Sequence, residues 1–159
     1  MDLFTNALIS NYTLKIPREY DWFGPLIGDW NIRYCEVHNG IQSDVKGEWY
    51  FRRVLNGAGV EDLMVCPEKT TYGEHGIAVR IFNAKEGCYD MTYTDERFAK
   101  LLRCHKEGEN IVCRLLDNDT RKWVFSNIRK DSFRWNNVTL HEDGVWHVNS
   151  TIFATRKAK

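Results

Sequence analysis

Three side chains in β-type segments carry the polar chemistry that a binding or catalytic site needs: Glu36, Arg80 and Tyr93. A carboxylate enclosed by protein must be paired or protonated. Glu36 is therefore a candidate to orient a ligand, or to act as a general base with a raised pKa. Arg80 is suited to hold a carboxylate or phosphate through two parallel hydrogen bonds. Two other roles for Glu36 stay open: it could be solvated at a rim, or it could pair with an arginine.

Other motifs that carry chemistry are missing from the sequence. The five histidines show neither the H-x-H nor the H-x-x-x-H spacing of a metal site, and there is no P-loop and no G-x-S-x-G nucleophile motif. The glycine-containing run 57–62 lies between two predicted strands with no helix after it, so we interpret it as a turn rather than a phosphate-binding loop. We therefore expect no metal and no cofactor.

The composition indicates one globular domain without nucleic-acid or membrane partners. The 159 residues are enough for a domain with its own core. The 22 basic and 22 acidic side chains cancel, whereas nucleic acids and anionic membranes require a positive surface. No apolar run approaches the ~20 residues of a membrane-spanning helix. The odd number of cysteines, five without a C-x-x-C pair, and the lack of a signal-peptide pattern together predict a cytoplasmic protein.

Short β-type runs separated by turn residues fill the sequence after residue 28. Asn39-Gly40 is the strongest hairpin signal, because both residue types tolerate the positive φ of a type I′ turn. Regular turn signals are typical of a sandwich or barrel, and short hairpin connections favour an up-and-down order whose closure removes exposed edges. The sequence thus predicts an all-β fold, a single antiparallel up-and-down barrel of about eight to ten strands. The strands are expected near 29–38, 41–55, 60–66, 76–83, 88–95, 98–106, 110–116, 120–130, 132–140 and 145–157.

The first 28 residues differ from the rest. Pro17 is suited to the first turn of a short helix over 18–23, which Gly24-Pro25 would end. Such a helix could plug one end of the barrel. Because no repeat, linker or low-complexity stretch occurs, we expect one domain over 1–159, with an N-terminal segment 1–28 and a barrel 29–157.

Gly28-Asp29-Trp30 at the start of the first strand and Arg156 at the end of the last one resemble the calycin superfamily, the lipocalins and their relatives. In that group the arginine stacks on the tryptophan ring at the closed end of the barrel, a cation–π contact. The resemblance therefore implies structural roles for Trp30 and Arg156. Four segments are also similar to an intracellular bacterial lipocalin-like family of unassigned function: LIGDW (26–30), GEW (47–49), LNG (55–57) and SFRW (132–135).

The two anchors predict which side chains face the barrel interior, because side chains alternate between the faces of a strand. From Trp30 the inward set is Ile32, Tyr34, Glu36 and His38, and from Arg156 it is Ala154, Ile152, Ser150, Val148 and Trp146. His147 then faces solvent, which argues against haem, although one barrel family of the superfamily binds haem through a histidine near its C-terminus. On other strands the more apolar parity is taken as inward: Trp49 and Phe51; Tyr89, Met91 and Tyr93; Trp123 and Phe125; Phe133 and Trp135. The direction of Arg80 is ambiguous, because its parity is opposite to that of Ile77, Val79 and Ile81.

These faces predict a mostly apolar pocket with few polar groups, which is usual for a small-molecule site. Its expected lining is Tyr34, Glu36, Trp49, Arg80, Tyr93, Trp135 and Trp146. The main hypothesis is that the lumen binds a small hydrophobic or aromatic molecule. One alternative is an enzyme that catalyses a proton transfer, of the isomerase, cyclase or dehydratase type, with Glu36 as base and Arg80 or Tyr93 as electrophilic partner. Another is a protein-interaction module whose core is filled by side chains, and a homodimer is left open.

Overall fold

The computed structural model describes residues 2–9, 13–68 and 74–158. Within these ranges the chain forms one short helix, α1 (Leu3–Ile9), three short 3₁₀ turns and ten strands. The strands are β1 (Gly28–His38), β2 (Ile41–Val54), β3 (Gly59–Val65), β4 (His75–Asn83), β5 (Cys88–Asp95), β6 (Ala99–Glu107), β7 (Asn110–Leu115), β8 (Arg121–Ser126), β9 (Ser132–Leu140) and β10 (Trp146–Arg156).

Each strand pairs antiparallel with the next one, and β1 also pairs with β10, so the sheet closes into a barrel. The expected all-β, up-and-down barrel is confirmed, with ten strands in the described ranges. Asn39 and Gly40 have φ values of 51° and 76°, which is the left-handed geometry that the Asn-Gly signal predicts for the β1–β2 hairpin. In this order β1 runs from the closed end to the open end of the barrel, and each following strand reverses direction.

The N-terminal segment closes the barrel with 3₁₀ turns rather than with the expected helix over 18–23. The turns span Arg18–Tyr20 and Gly24–Leu26. Gly24-Pro25 therefore begins the second turn instead of ending a helix, since proline suits a first turn. Phe23 and Leu26 are fully buried, whereas α1, which the sequence did not predict, packs against β2. No helix within the described ranges has the length and apolar character to cross a membrane.

Trp30 and Arg156 are directly paired across β1 and β10 at the closed end. The guanidinium carbon of Arg156 lies 4.2 Å from the centroid of the Trp30 ring. The same guanidinium donates hydrogen bonds of 2.8 Å to the carbonyl oxygens of Pro25, Ile27 and Lys130. Arg156 thereby ties the last strand to the N-terminal plug and to the loop before β9.

A β-bulge in β10 changes the predicted faces near its start. The β9–β10 register shifts between Val148 and Ser150, and an extra residue of this kind inverts the alternation of side chains. Val148 is 58% exposed, so the inward orientation predicted for it is wrong. His147 is paired with Thr139, and Thr139 with Arg121. His147 therefore shares the lumen-facing side with Arg121 at the open end, opposite to the parity expectation.

Candidate functional site

Aromatic side chains fill the closed half of the lumen. The ring centroid of Phe125 lies 5.8, 6.4 and 5.9 Å from those of Phe23, Phe51 and Phe133. The Phe133 ring also lies 6.1 Å from that of Phe51 and 4.7 Å from that of Trp30. All five side chains are at most 3% exposed. This half of the barrel is a packed aromatic core.

The open half of the lumen contains a cavity of about 90 Å³. Its walls include the aromatic side chains of Tyr34, Trp49, Tyr93, Trp123 and Trp135, together with charged side chains such as those of Asp62 and Arg80. These rings contact one another edge-to-face or tilted: the centroids of Trp123 and Tyr93 are 5.0 Å apart, and those of Trp123 and Trp135 are 5.8 Å apart. Exposed side chains from the ends of the strands, among them Phe98, form the mouth.

A buried ion pair forms the inner end of the cavity. Nη1 of Arg80 lies 2.7 Å from Oδ2 of Asp62, and the two side chains are 1% and 5% exposed. The Arg80 guanidinium also lies over the ring of Phe23, at 4.7 Å from its centroid. Arg80 thus lies between the aromatic core of the closed half and the cavity. Its guanidinium contacts the Asp62 carboxylate on one side and the ring face of Phe23 on the other.

In the structure the Arg80 side chain points into the barrel, although the more apolar residues of its strand lie on the other face. Arg80 and Ala78 face inward, while Ile77 and Ile81 are 39% and 37% exposed on the outer face. Asp62, which belongs both to the run 57–62 interpreted as a turn and to the predicted strand 60–66, lies in β3 and faces inward as well. A buried arginine needs a nearby anion, and this requirement was the signal that could have identified Asp62.

The burial of Asp62 and Arg80 links the protonation of one side chain to the charge of the other. Burial raises the pKa of the Asp62 carboxyl, and the opposing effects of the Arg80 charge and of the Trp49 indole only partly offset it. An arginine side chain keeps its proton under all ordinary conditions. Protonation of Asp62 would therefore leave the Arg80 cation buried without a counter-ion, so the two groups act as a unit.

Tyr93 is bound to a carboxylate at the mouth. Its hydroxyl donates a hydrogen bond of 3.0 Å to Oδ2 of Asp95, and burial together with this anion raises the pKa of Tyr93. Burial alone would raise the pKa of Asp95, but hydrogen bonds from Arg97 and Tyr93 lower it to about 2. Tyr93 is therefore a neutral phenol whose proton is already shared with Asp95.

Several buried polar atoms around the cavity have no hydrogen-bond partner within the described part of the chain. Oδ2 of Asp62 belongs to this group, because its contact with Arg80 is close but lacks hydrogen-bond geometry. The Trp49 indole lies near enough to lower the pKa of that carboxyl, yet its N–H does not meet hydrogen-bond geometry either. Native proteins leave few such groups, and each one calls for an explanation such as an ordered water, an ion or a functional role. The other members that line the cavity are Arg80 Nε and Nη1, Arg121 Nε, Trp123 Nε1 and Asn137 Oδ1.

The cavity brings together five of the seven residues that the sequence predicted for the pocket: Tyr34, Trp49, Arg80, Tyr93 and Trp135. Glu36 is buried but lines a separate, wide depression between the β1–β2 hairpin and β10. Its carboxylate lies 3.4 Å from the hydroxyl of Tyr34. Trp146 does not line the cavity; the ammonium of Lys122, on the outer parity of β8, lies 4.1 Å from its ring. Because the bulge in β10 inverts the alternation of side chains before Ser150, the inward position predicted for Trp146 is wrong.

The histidines and acidic groups of the described ranges form no cluster that could hold a metal ion. At the open end, Nε2 of His147 lies 3.0 Å from Oδ2 of Asp143, and its ring stacks on that of His141 at 4.0 Å. His147 does not line the cavity, and a volume of about 90 Å³ does not accommodate a haem. The residues around the cavity therefore do not fit that cofactor.

Comparisons with known proteins identify the fold only. No family model and no curated protein matches the chain. The crystal structure of Rv2717c from M. tuberculosis is similar over 91% of this chain and 100% of that chain, with a TM-score of 0.60 at 12% sequence identity. A protein of unknown function from the DUF3598 family of Nostoc punctiforme aligns over 89% of this chain and 100% of that chain at 7% identity, with a TM-score of 0.28 that is too low to support an argument. The chain thus shares a barrel fold with Rv2717c, and the calycin resemblance stays a prediction.

Proposed function

We propose that the open half of the lumen binds a small molecule with one aromatic ring or an apolar group of similar size. The observation that carries this proposal is the coincidence of an aromatic cavity with buried polar atoms that lack partners. Trp49, Trp123 and Trp135 supply stacking surfaces, and Asp62 with Arg80 supplies sparse polar groups at the inner end. This combination is typical of small-molecule sites.

The volume of the cavity sets the size of the ligand. An apolar cavity of roughly 150 Å³ holds a benzene molecule, and most ligand pockets measure about 300–1,000 Å³. A cavity of about 90 Å³ accepts one ring only if part of the molecule occupies the mouth. A long-chain lipid is therefore too large for it, and a single-ring compound is the best match.

Two alternatives have less support. The enzyme hypothesis combines Glu36 as base with Arg80 or Tyr93 as electrophilic partner, but Glu36 lines another depression, and the Tyr93 proton is shared with Asp95. A protein-interaction module with a filled core agrees with the closed half of the barrel and not with the cavity above it. Binding of a small molecule in the lumen agrees with both a packed closed half and a cavity in the open half of the barrel.

Filling the cavity is expected to abolish binding. Ala78 lines the cavity and is 1% exposed, so Ala78→Leu places three additional carbon atoms where the ring would lie. We expect phenol and 4-methylphenol to bind the unaltered protein and to bind Ala78→Leu at least tenfold more weakly in ligand-observed NMR titrations.

Ile77→Leu is the matched control, because Ile77 precedes Ala78 on β4 and faces outward. It should bind both compounds like the unaltered protein, and palmitate should bind none of the three proteins in the lumen. Equal affinity of Ala78→Leu and the unaltered protein for both phenols, with the fold retained, would place the ligand elsewhere.

A further inference from the structure

We infer that the ligand of this cavity is a single-ring aromatic carboxylate with a hydroxyl group on the opposite side of the ring, as in 4-hydroxybenzoate. The inference rests on the proposed function and specifies its ligand class. It follows from the different polar groups at the two ends of the cavity.

The inner end matches a hydroxyl group. Oδ2 of Asp62 is a buried acceptor that is already in ion-pair contact with Nη1 of Arg80 at 2.7 Å and has a further lone pair for a donor. Nε1 of Trp49 and Nε of Arg80 are buried donors that meet no acceptor with hydrogen-bond geometry in the described part of the chain. A hydroxyl both donates and accepts, so it can serve Asp62 and one of the donors together. A carboxylate at this position would instead face the Asp62 carboxylate in a region with little solvent, where like charges repel strongly.

The outer end matches a carboxylate. Arg121 is the first residue of β8 and Lys100 the second residue of β6; both strands begin at the open end, and both side chains line the cavity. Within the described ranges, neither takes part in any of the ion pairs that the structure forms. Arg97, also at the mouth, is bound by Asp95.

Besides Asp95, which Arg97 and Tyr93 already engage, Glu74 is an acidic residue that lines the cavity near these cations. It is exposed, so solvent screens its charge, whereas Nε of Arg121 is buried and lacks a hydrogen-bond partner in the described chain. A carboxylate bound side-on to the Arg121 guanidinium would satisfy this donor, since the two planar groups match in geometry. The outer end of the cavity therefore favours an anion despite Glu74.

The space between the two ends matches a ring. Trp123 lies between Tyr93 and Trp135, with centroid distances of 5.0 and 5.8 Å. All three side chains line the cavity. An aromatic ring here makes the edge-to-face or offset contacts that aromatic groups prefer, and it holds the hydroxyl and the carboxylate at opposite ends.

The test compares four probes: 4-hydroxybenzoate, benzoate, phenol and the neutral 4-hydroxybenzyl alcohol. Calorimetric titrations should give 4-hydroxybenzoate an affinity at least tenfold higher than each of the other three. Arg121→Gln should weaken 4-hydroxybenzoate at least fivefold and change phenol less than twofold. Arg129→Gln, an exposed arginine at the closed end, is the control and should change neither.

The outcomes separate the inference from the proposed function. If phenol binds as tightly as 4-hydroxybenzoate, or if Arg121→Gln weakens both equally, the ligand class is wrong while binding in the lumen stands. If none of the four probes binds the unaltered protein, both proposals are wrong.

Discussion

Replacing Asp62 by asparagine is expected to lower the free energy of unfolding by about 3–5 kcal/mol, because it leaves the Arg80 cation buried without a counter-ion. The two side chains are almost fully enclosed and 2.7 Å apart, so solvent cannot replace the lost charge. Urea unfolding of Asp62→Asn, followed by far-ultraviolet circular dichroism, measures the change.

The double variant Asp62→Leu with Arg80→Met is the control for this prediction. Removing both charges in favour of apolar groups of similar size is often neutral or even stabilising. We therefore expect the double variant to be at least 2 kcal/mol more stable than Asp62→Asn. A loss below about 1 kcal/mol in Asp62→Asn would show that the pair is solvated, contrary to its burial.

Replacing Trp30 by alanine should cost about 3–5 kcal/mol, the range for a large aromatic side chain removed from a core. Trp30 is fully buried, its ring packs on Phe133 at 4.7 Å, and its indole N–H donates to the carbonyl of Leu26. Arg156→Ala removes three hydrogen bonds from a charged group and should cost about 2–3 kcal/mol.

The two substitutions should not be additive, because each removes the stacking contact between the guanidinium and the ring. We expect the loss in the double variant to fall short of the sum by about 1 kcal/mol in equilibrium unfolding. An Arg156→Ala change within ±0.5 kcal/mol, which is ordinary for a surface residue, would contradict a closing role for this side chain.

Local patterns were sufficient to predict the barrel. Asn39-Gly40 forms the expected hairpin, and the ten predicted strands correspond to those of the structure with ends that differ by a few residues. Turn chemistry and β-type composition act over neighbouring residues, so they can be recognised without the fold. The two short 3₁₀ turns of the N-terminal segment were not predicted as such, because their form depends on packing of Phe23 and Leu26 into the barrel.

The candidate site was only partly predictable, because it depends on contacts between distant strands. Alternation from the Trp30 anchor correctly placed Tyr34 inside the barrel. The one-residue bulge in β10 leaves no recognisable pattern in the sequence, and for this reason Trp146 was assigned to the wrong face. The apolar character of Ile77 and Ile81 concealed the inward direction of Arg80. A buried arginine requires an anion, but which carboxylate supplies it follows only from the position of Asp62 beside Arg80.

The central claim, that a ligand binds among the aromatic side chains of the open half, is tested most directly by the indole N–H signals of the six tryptophans. Trp49, Trp123 and Trp135 line the cavity, whereas Trp22, Trp30 and Trp146 do not and serve as internal controls. In a heteronuclear NMR titration of the ¹⁵N-labelled protein with 4-hydroxybenzoate or phenol, the three cavity signals should shift together with saturation at one affinity. The three control signals should stay in place. Shifts confined to the control tryptophans, or no shift with either compound at saturating concentration, would contradict the account.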